Sequence, residues 1–135
     1  MKVAVGIITD ANKRILITQR SLNSPHGGFW EFPGGKLEPF EADYLALLRE
    51  LKEEVGLEVE VFRSLGEINF HYGARPIALM VYHVTQTRGV PYCRESQQDL
   101  RWVHPSELNQ YQFPPANDQL IERFILGDVC RAEAV

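Results

Sequence analysis

Three glutamates in one predicted helix are the residues whose type and spacing point most directly to chemistry. Residues 41–55 have a helical pattern, and on a helix Glu50, Glu53 and Glu54 fall within an arc of about 100°. Carboxylates three or four residues apart repel one another, and these also lie near the negative end of the helix dipole. Two interpretations follow: a solvated acidic face, or a cluster of hard oxygen ligands for Mg²⁺.

The same helix carries an apolar stripe that must hold the glutamates in place. The stripe recurs at helical spacing and is separate from the acidic arc; its members are Tyr44, Leu48, Leu51 and Val55. Gly56 follows where a C-terminal cap belongs. We therefore predict a helix that packs this stripe on the core and carries its carboxylates on a different face.

The remaining elements are mostly strands, in the predicted order β-β-β-α-β-β-β-α. Residues 3–8 and 14–20 suggest a hairpin, because the turn signal Asp10-Ala-Asn12 separates two apolar runs. Residues 57–70 indicate one or two strands, 77–84 another, 86–98 a loop and 100–103 a last strand. A final helix has a buried face, formed by Leu120, Ile121, Phe124 and Ile125. The fold class is α+β, a mixed sheet with helices against it.

Composition bounds the possible functions. The 135 residues suit one domain, and 44% hydrophobic with 24% charged residues exclude intrinsic disorder. A net charge of −4 argues against nucleic acid as a partner but leaves room for a small phosphorylated ligand. Cys93 and Cys130 are expected to be free thiols. No run approaches the ~18 apolar residues of a membrane span, so we expect a cytoplasmic protein without a membrane partner.

The residues around the glutamates form a longer pattern. From Gly35 to Leu57 it is Gly-x5-Glu-x7-Arg-Glu-Leu-x-Glu-Glu-x-Gly-Leu. Nine specified positions at fixed spacing make a specific signal, and the pattern resembles the box of the Nudix hydrolases. The resemblance implies a Nudix-type α/β/α sandwich with a central mixed β-sheet. It also implies a domain over residues 1–130, with the box at 35–57 and a short tail at 131–135.

The resemblance assigns roles to the box and its surroundings. The implied divalent-metal ligands are the carboxylates of Glu50, Glu53 and Glu54 and the backbone carbonyl of Gly34. The implied structural residues are Gly35, Glu41, Arg49 and Gly56, with Arg49 and Glu41 orienting the ligands. The implied catalytic residues are Glu50, Glu53 and Glu95. Glu95 resembles a loop glutamate that assists proton transfer, although a plain loop charge is the alternative.

Further segments resemble the MutT branch of this family, in order and nearly in spacing. They are residues 4–8, 18–20, 31–36, 75, 94–97 and 113–117, the last reading Phe-Pro-Pro-Ala-Asn. The resemblance implies substrate contacts from Arg20, Phe32, Lys36, Arg75 and Asn117. The alternatives are surface cations for the basic residues, a core position for Phe32 and a helix N-cap for Asn117.

The implied function is Mg²⁺-dependent pyrophosphohydrolysis of nucleoside triphosphates, with Mn²⁺ as a substitute cofactor. The MutT likeness points to 8-oxo-dGTP, cleaved to 8-oxo-dGMP and pyrophosphate, which removes a mutagenic precursor from the nucleotide pool. The Asn117 amide suits this base, because 8-oxoguanine has a donor at N7 where guanine has an acceptor. Two alternatives remain: a Nudix hydrolase for CTP, an unmodified dNTP or ADP-ribose, and a non-catalytic nucleotide sensor. A monomer is expected.

Overall fold

The computed structural model describes residues 1–95 and 97–129. Four strands and a helix come first: β1 (Lys2–Ile8), β2 (Ile15–Gln19), β3 (Trp30–Glu31), β4 (Gly34–Lys36) and α1 (Asp43–Val55). Then follow β5 (Glu58–Tyr72), β6 (Arg75–Arg88), β7 (Asp99–Val103), a 3₁₀ helix (Pro105–Gln110), α2 (Pro115–Leu120) and a π-helical segment (Ile121–Val129). Cys130 and the predicted tail 131–135 lie outside the described residues.

The strands divide into two sheets. One is mixed and has the order β4-β1-β6-β5, with β1 parallel to β6 and the other pairs antiparallel. The other is antiparallel, with the order β3-β2-β7. The predicted hairpin of β1 and β2 is therefore wrong; a single bridge, Thr9 to Ile15, joins them. Both edges of β1 are already hydrogen-bonded to β4 and β6, which leaves no edge for β2.

Helices cover both faces of β1, as the alternation of its side chains requires. Ala4 and Ile8 face α1 in one buried cluster, whereas Val5 and Ile7 face the C-terminal helices in the other. Leu120, Phe124 and Ile125 of the C-terminal helices are buried as predicted. The α+β class and the sandwich with a mixed sheet are confirmed in this layered arrangement.

Helix α1 begins at Asp43, two residues later than predicted, and ends at Gly56, where φ is 71° and the backbone is left-handed. Its buried stripe comprises Ala46, Leu47, Leu51, Glu54 and Val55. The assignment of Tyr44 to this stripe is wrong, because Tyr44 is 47% exposed. Its ring stacks instead on Phe62 of β5, an edge strand that leaves the outer side of the pair in solvent.

Two other predictions about elements need correction. The loop expected over 86–98 starts later, because β6 continues to Arg88, which pairs with Glu58. Helix α2 begins at Pro115 with Pro114 as its N-cap residue. Asn117 is thus the third helical residue, and the helix N-cap alternative for it is wrong.

Candidate active site

A cleft of about 500 Å³ opens where the two sheets part. The chain crosses from one sheet to the other over residues 30–36, since β3 pairs with β2 and β4 pairs with β1. Pro33 marks the crossing, and its carbonyl accepts a hydrogen bond from the N–H of Gly6 at 2.9 Å. This crossing brings Glu31 of β3 and Gly34 of β4 to the same cleft as the carboxylates of α1.

Glu54 is the most deeply buried carboxylate of the cleft, at 4% exposure. Burial, together with the neighbouring carboxylates of Glu31, Glu50 and Glu95, raises its pKa to about 9. The backbone N–H of Gly34 donates to Glu54 Oε2 at 3.2 Å and opposes this rise. A buried carboxylate among other carboxylates is costly unless it is protonated or paired with a cation.

Glu50 lies against the backbone of β4, and only glycine at position 35 permits this approach. A Cβ placed on Gly35 would collide with the Glu50 carboxylate. Burial raises the pKa of Glu50, and the nearby charges of Glu53 and Glu95 add to the effect, whereas Arg49 opposes it. Strand β4 and helix α1 are therefore matched at this contact.

Arg49 links the acidic residues on the solvent side of α1. Its Nε and Nη2 donate to the two carboxylate oxygens of Glu41, each at 2.8 Å. Its Nη1 donates to Glu50 Oε1 at 2.8 Å and to Glu53 Oε2 at 3.3 Å, and Nη2 also reaches the Lys36 carbonyl. The Glu41 hydrogen bonds raise the pKa of Arg49, and those from Arg49 lower the pKa of Glu41 to about 2. The guanidinium thus holds the loop before α1, strand β4 and the glutamates in one arrangement.

The acidic residues differ in their access to the cleft. Glu50, Glu54, Glu95 and the backbone of Gly34 line it, whereas Glu53 is 50% exposed on its outer side and is held by Arg49. Within residues 1–95 and 97–129, no three Asp, Glu, His or Cys side chains are already gathered as a finished metal site. The crowded, desolvated carboxylates nevertheless suit a divalent cation, which would relieve their mutual repulsion.

Cations and aromatic rings form the other walls. Arg20 Nη1 is 2.7 Å from Glu31 Oε2, so Arg20 is not an unpaired surface cation. Lys36 and Arg75 line the cleft as well, and both are exposed. Burial raises the pKa of Glu31, and Arg20 opposes that rise. Phe32 is buried and stacks on Phe113 with ring centroids 5.1 Å apart, so its core position and its place in the cleft hold together.

The far end of the cleft is closed by the start of α2. Asn117 lines the cleft there, beside Pro114 and Ala116. The N–H of Ala116 donates to the Tyr72 hydroxyl at 3.2 Å, which ties α2 to the end of β5. The His26 ring packs on Tyr72 at 5.5 Å and also lines the cleft.

The structure brings most of the predicted site residues to one place. The predicted residues that line the cleft are Arg20, Phe32, Gly34, Gly35, Lys36, Glu50, Glu54, Arg75, Glu95 and Asn117. Glu41, Arg49, Glu53 and Gly56 surround it without lining it. Sequence reasoning assigned no role to Glu31, although its burial against Arg20 and Glu54 makes it part of the site. The sequence feature that could have indicated this role is the position of Glu31 directly before Phe-Pro-Gly-Gly, where the chain crosses between the sheets.

Comparisons with known proteins agree with this geometry. The NUDIX domain family matches residues 4–123. A CTP pyrophosphohydrolase of Escherichia coli (strain K12) is 38% identical over 121 residues, covering 90% of this chain and 89% of that protein. An 8-oxo-dGTP diphosphatase of the same strain is 36% identical over 123 residues, covering 91% and 95%.

A solved structure shows the same likeness in three dimensions. A MutT structure, from work on the Aliivibrio salmonicida and Vibrio cholerae proteins, superposes with a TM-score of 0.79 at 36% identity. The match covers 91% of this chain and 96% of that one. The family match over residues 4–123 includes every residue of the cleft from β2 to α2, and both relatives cover about nine tenths of the chain. The chain therefore belongs to the NUDIX domain family and is an enzyme, a pyrophosphohydrolase.

Proposed function

We propose that the protein hydrolyses nucleoside triphosphates with the help of Mg²⁺ and prefers 8-oxo-dGTP, releasing 8-oxo-dGMP and pyrophosphate. The observation that carries the proposal is that one cleft is lined by an acidic wall, three cations and the Asn117 side chain. Its volume of about 500 Å³ lies in the range of small-molecule sites. The biological consequence is removal of an oxidised, mispairing precursor from the nucleotide pool.

The donor set fits a hard divalent cation. Glu50 and Glu54, with the carbonyl of Gly34, would hold Mg²⁺ from the cleft wall, and Glu53 would join them by turning its carboxylate from Arg49 toward the cleft. Mn²⁺ accepts the same oxygen ligands. When bound, such a cation neutralises phosphate charge and lowers the pKa of a coordinated water. Glu54 fits this role on structural grounds, because a carboxylate buried among three others lacks a counter-charge.

The chain's cations would hold the triphosphate. Arg20, Lys36 and Arg75 line the cleft, and their positive charges attract phosphate oxygens. Arg20 is oriented by Glu31 at 2.7 Å and by the Pro25 carbonyl at 2.8 Å. Such fixed cations stabilise the charge that develops on the phosphates during transfer. Glu95 lines the same cleft and would accept a proton from the attacking water.

Asn117 and Phe32 would receive the base. An amide presents a donor and an acceptor in a fixed geometry, which distinguishes the N7–H edge of 8-oxoguanine from the N7 acceptor of guanine. The wrong base leaves a buried polar group without a partner, at a cost of about 1–3 kcal/mol. Phe32, which stacks on Phe113, supplies an apolar part of the cleft wall that Asn117 also lines.

CTP is the second candidate substrate, and one observation favours it: the relative that acts as a CTP pyrophosphohydrolase is 38% identical over 90% of this chain. Unmodified dNTPs and ADP-ribose use the same catalytic box. A non-catalytic sensor is the remaining alternative. It is opposed by the retention of all three box glutamates, Glu50, Glu53 and Glu54.

The proposal extends to the setting of the enzyme. We place the catalytic domain at residues 1–130 with a tail at 131–135, acting as a cytoplasmic monomer on free nucleotides rather than on nucleic acid. Among the described residues, no helix is long and apolar enough to cross a membrane. Light scattering of the purified chain tests the monomer: a mass of 15.5 kDa supports it, and twice that mass contradicts it.

Initial rates on four substrates test the proposed function. We expect kcat/KM with Mg²⁺ to be highest for 8-oxo-dGTP, ahead of dGTP, CTP and ADP-ribose, with pyrophosphate as a product and no turnover in EDTA. If kcat/KM is highest for CTP, CTP becomes the proposed substrate and Asn117 loses its proposed role in recognising 8-oxoguanine. Glu53→Gln should retain nucleotide binding but lose turnover. A wild-type protein that binds nucleotide without turnover would instead support a sensor.

A further inference from the structure

A short segment lies across the C-terminal end of α1; we define it as the strap, residues 92–94. The N–H of Tyr92 donates to the Val55 carbonyl and the N–H of Arg94 donates to the Glu54 carbonyl, both at 3.1 Å. The Arg94 Nη1 donates to the Lys52 carbonyl at 2.9 Å. The last carbonyls of a helix lack partners within the helix, so the strap N–H groups satisfy the carbonyls of Glu54 and Val55, whereas the Lys52 carbonyl also accepts from the N–H of Gly56.

The strap fits the helix end by shape as well as by hydrogen bonds. The Tyr92 ring lies against Gly56, and a Cβ at that position would stand 2.6 Å from the ring. Gly56 therefore serves two purposes, the left-handed turn after α1 and the space for Tyr92. The guanidinium of Arg94 also places a positive charge at the negative end of the helix dipole.

The residue that follows the strap is Glu95, which lines the cleft and interacts with the charges of Glu50 and Glu54. Consecutive Cα atoms are about 3.8 Å apart, so anchoring position 94 limits where the Glu95 side chain can reach. Glu95 is itself exposed, and its carboxylate accepts no hydrogen bond from residues 1–95 and 97–129. Its placement therefore depends on the strap.

We propose that Arg94 is a positioning residue that docks the strap on α1 and so holds Glu95 at the reacting phosphate. The inference rests on the proposed function, in which Glu95 accepts the proton of the attacking water. Arg94 is exposed and does not line the cleft, so it acts through its neighbour and not on the substrate. Lysine at this position keeps the charge but donates from a single flexible point.

A double-mutant cycle tests the inference with the best substrate of the wild-type enzyme. We expect Arg94→Ala to lower kcat about three- to tenfold, with KM within about twofold, and Arg94→Lys to recover part of the loss. In the Glu95→Gln background, Arg94→Ala should cause almost no further loss, because the two residues act as one unit. Arg14→Ala is the matched control, since Arg14 is an exposed arginine paired with Asp10 outside the cleft.

Other results would overturn the inference. Unchanged kcat in Arg94→Ala, or a loss of equal size with and without the Glu95 carboxylate, would show that Arg94 does not act through Glu95. Proton exchange of the backbone amides supplies a readout that needs no turnover. We expect positions 92 and 94 to exchange faster in Arg94→Ala, and unchanged exchange would also overturn docking by Arg94. A wild-type protein that hydrolyses none of the nucleotides would refute the proposed function instead. Amide proton exchange at positions 92 and 94 would then still show whether Arg94 docks the strap on α1.

Discussion

Replacing Glu54 by glutamine is expected to change how the stability of the metal-free protein depends on pH. Burial among carboxylates raises the pKa of Glu54 to about 9, against 4.5 for an ordinary glutamate. Between these values the folded protein keeps a proton that the unfolded chain has released. The free energy of unfolding therefore falls as the pH rises through this window, and it is highest below pH 4.5 as far as this group is concerned.

The size of the effect follows from the one-proton difference. Each pH unit inside the window changes the free energy of unfolding by ~1.4 kcal/mol, so pH 5.5 to 7.5 corresponds to about 3 kcal/mol. Glutamine has nearly the same shape, carries no charge and can still accept the Gly34 N–H through its carbonyl oxygen. The stability of wild type relative to Glu54→Gln should fall by about 3 kcal/mol over those two units.

Urea denaturation in EDTA at pH 5.5, 6.5 and 7.5 measures this difference. The difference is needed because His83 acts in the opposite direction in both proteins. Burial lowers the pKa of His83 below 6.5, so its contribution to stability rises with pH up to that value. Saturating Mg²⁺ should flatten the wild-type slope, since a bound cation favours the carboxylate.

Glu53→Gln is the matched control, because it removes a carboxylate from the same helix that is 50% exposed outside the cleft. Its stability curve should stay much closer to the wild-type slope than that of Glu54→Gln, because Glu53 supplies only a lesser part of the rise in the pKa of Glu50. Parallel curves for Glu54→Gln and wild type in EDTA would refute the reasoning, since they would mean that Glu54 is ionised in the folded protein without a metal. Retention of the wild-type slope in Mg²⁺ would contradict the assignment of Glu54 as a ligand.

Three further substitutions test other parts of the site. Arg49→Lys should lower kcat by about tenfold or more with a smaller change in KM, because a single ammonium nitrogen cannot reproduce the forked contact with both Glu41 oxygens and also reach Glu50. Near-wild-type kinetics would show that the site does not need this guanidinium. Gly35→Ala should displace the Glu50 carboxylate, which lowers the melting temperature in thermal denaturation and kcat in rate assays. An unaffected enzyme would mean that the close contact between Gly35 and Glu50 is not needed. Asn117→Leu should reduce the kcat/KM preference for 8-oxo-dGTP over dGTP by about 5- to 150-fold, and an unchanged ratio would assign base recognition elsewhere.

Local patterns predicted a large part of the fold. The position of α1, its end at Gly56 and the buried face of the C-terminal helices all follow from spacing and capping rules, which act over a few residues. The prediction of a hairpin between β1 and β2 was wrong, because a turn signal does not show that both edges of β1 are hydrogen-bonded to other strands. The prediction that Tyr44 belongs to the buried stripe was wrong, because helical periodicity does not show where the edge of the facing sheet lies.

The candidate site, too, was predicted only in part from the sequence. The sequence alone determined the family, through nine specified positions between Gly35 and Leu57, and with it the acidic helix face and the residue types of the cleft. Only the tertiary structure brought Glu31 beside Glu54, buried Glu54 while leaving Glu53 exposed, and laid the strap on the end of α1. These features depend on the crossing between the two sheets and on contacts between residues about 20 to 40 positions apart. Burial and pKa are set by such long-range packing, so no local pattern of residues encodes them.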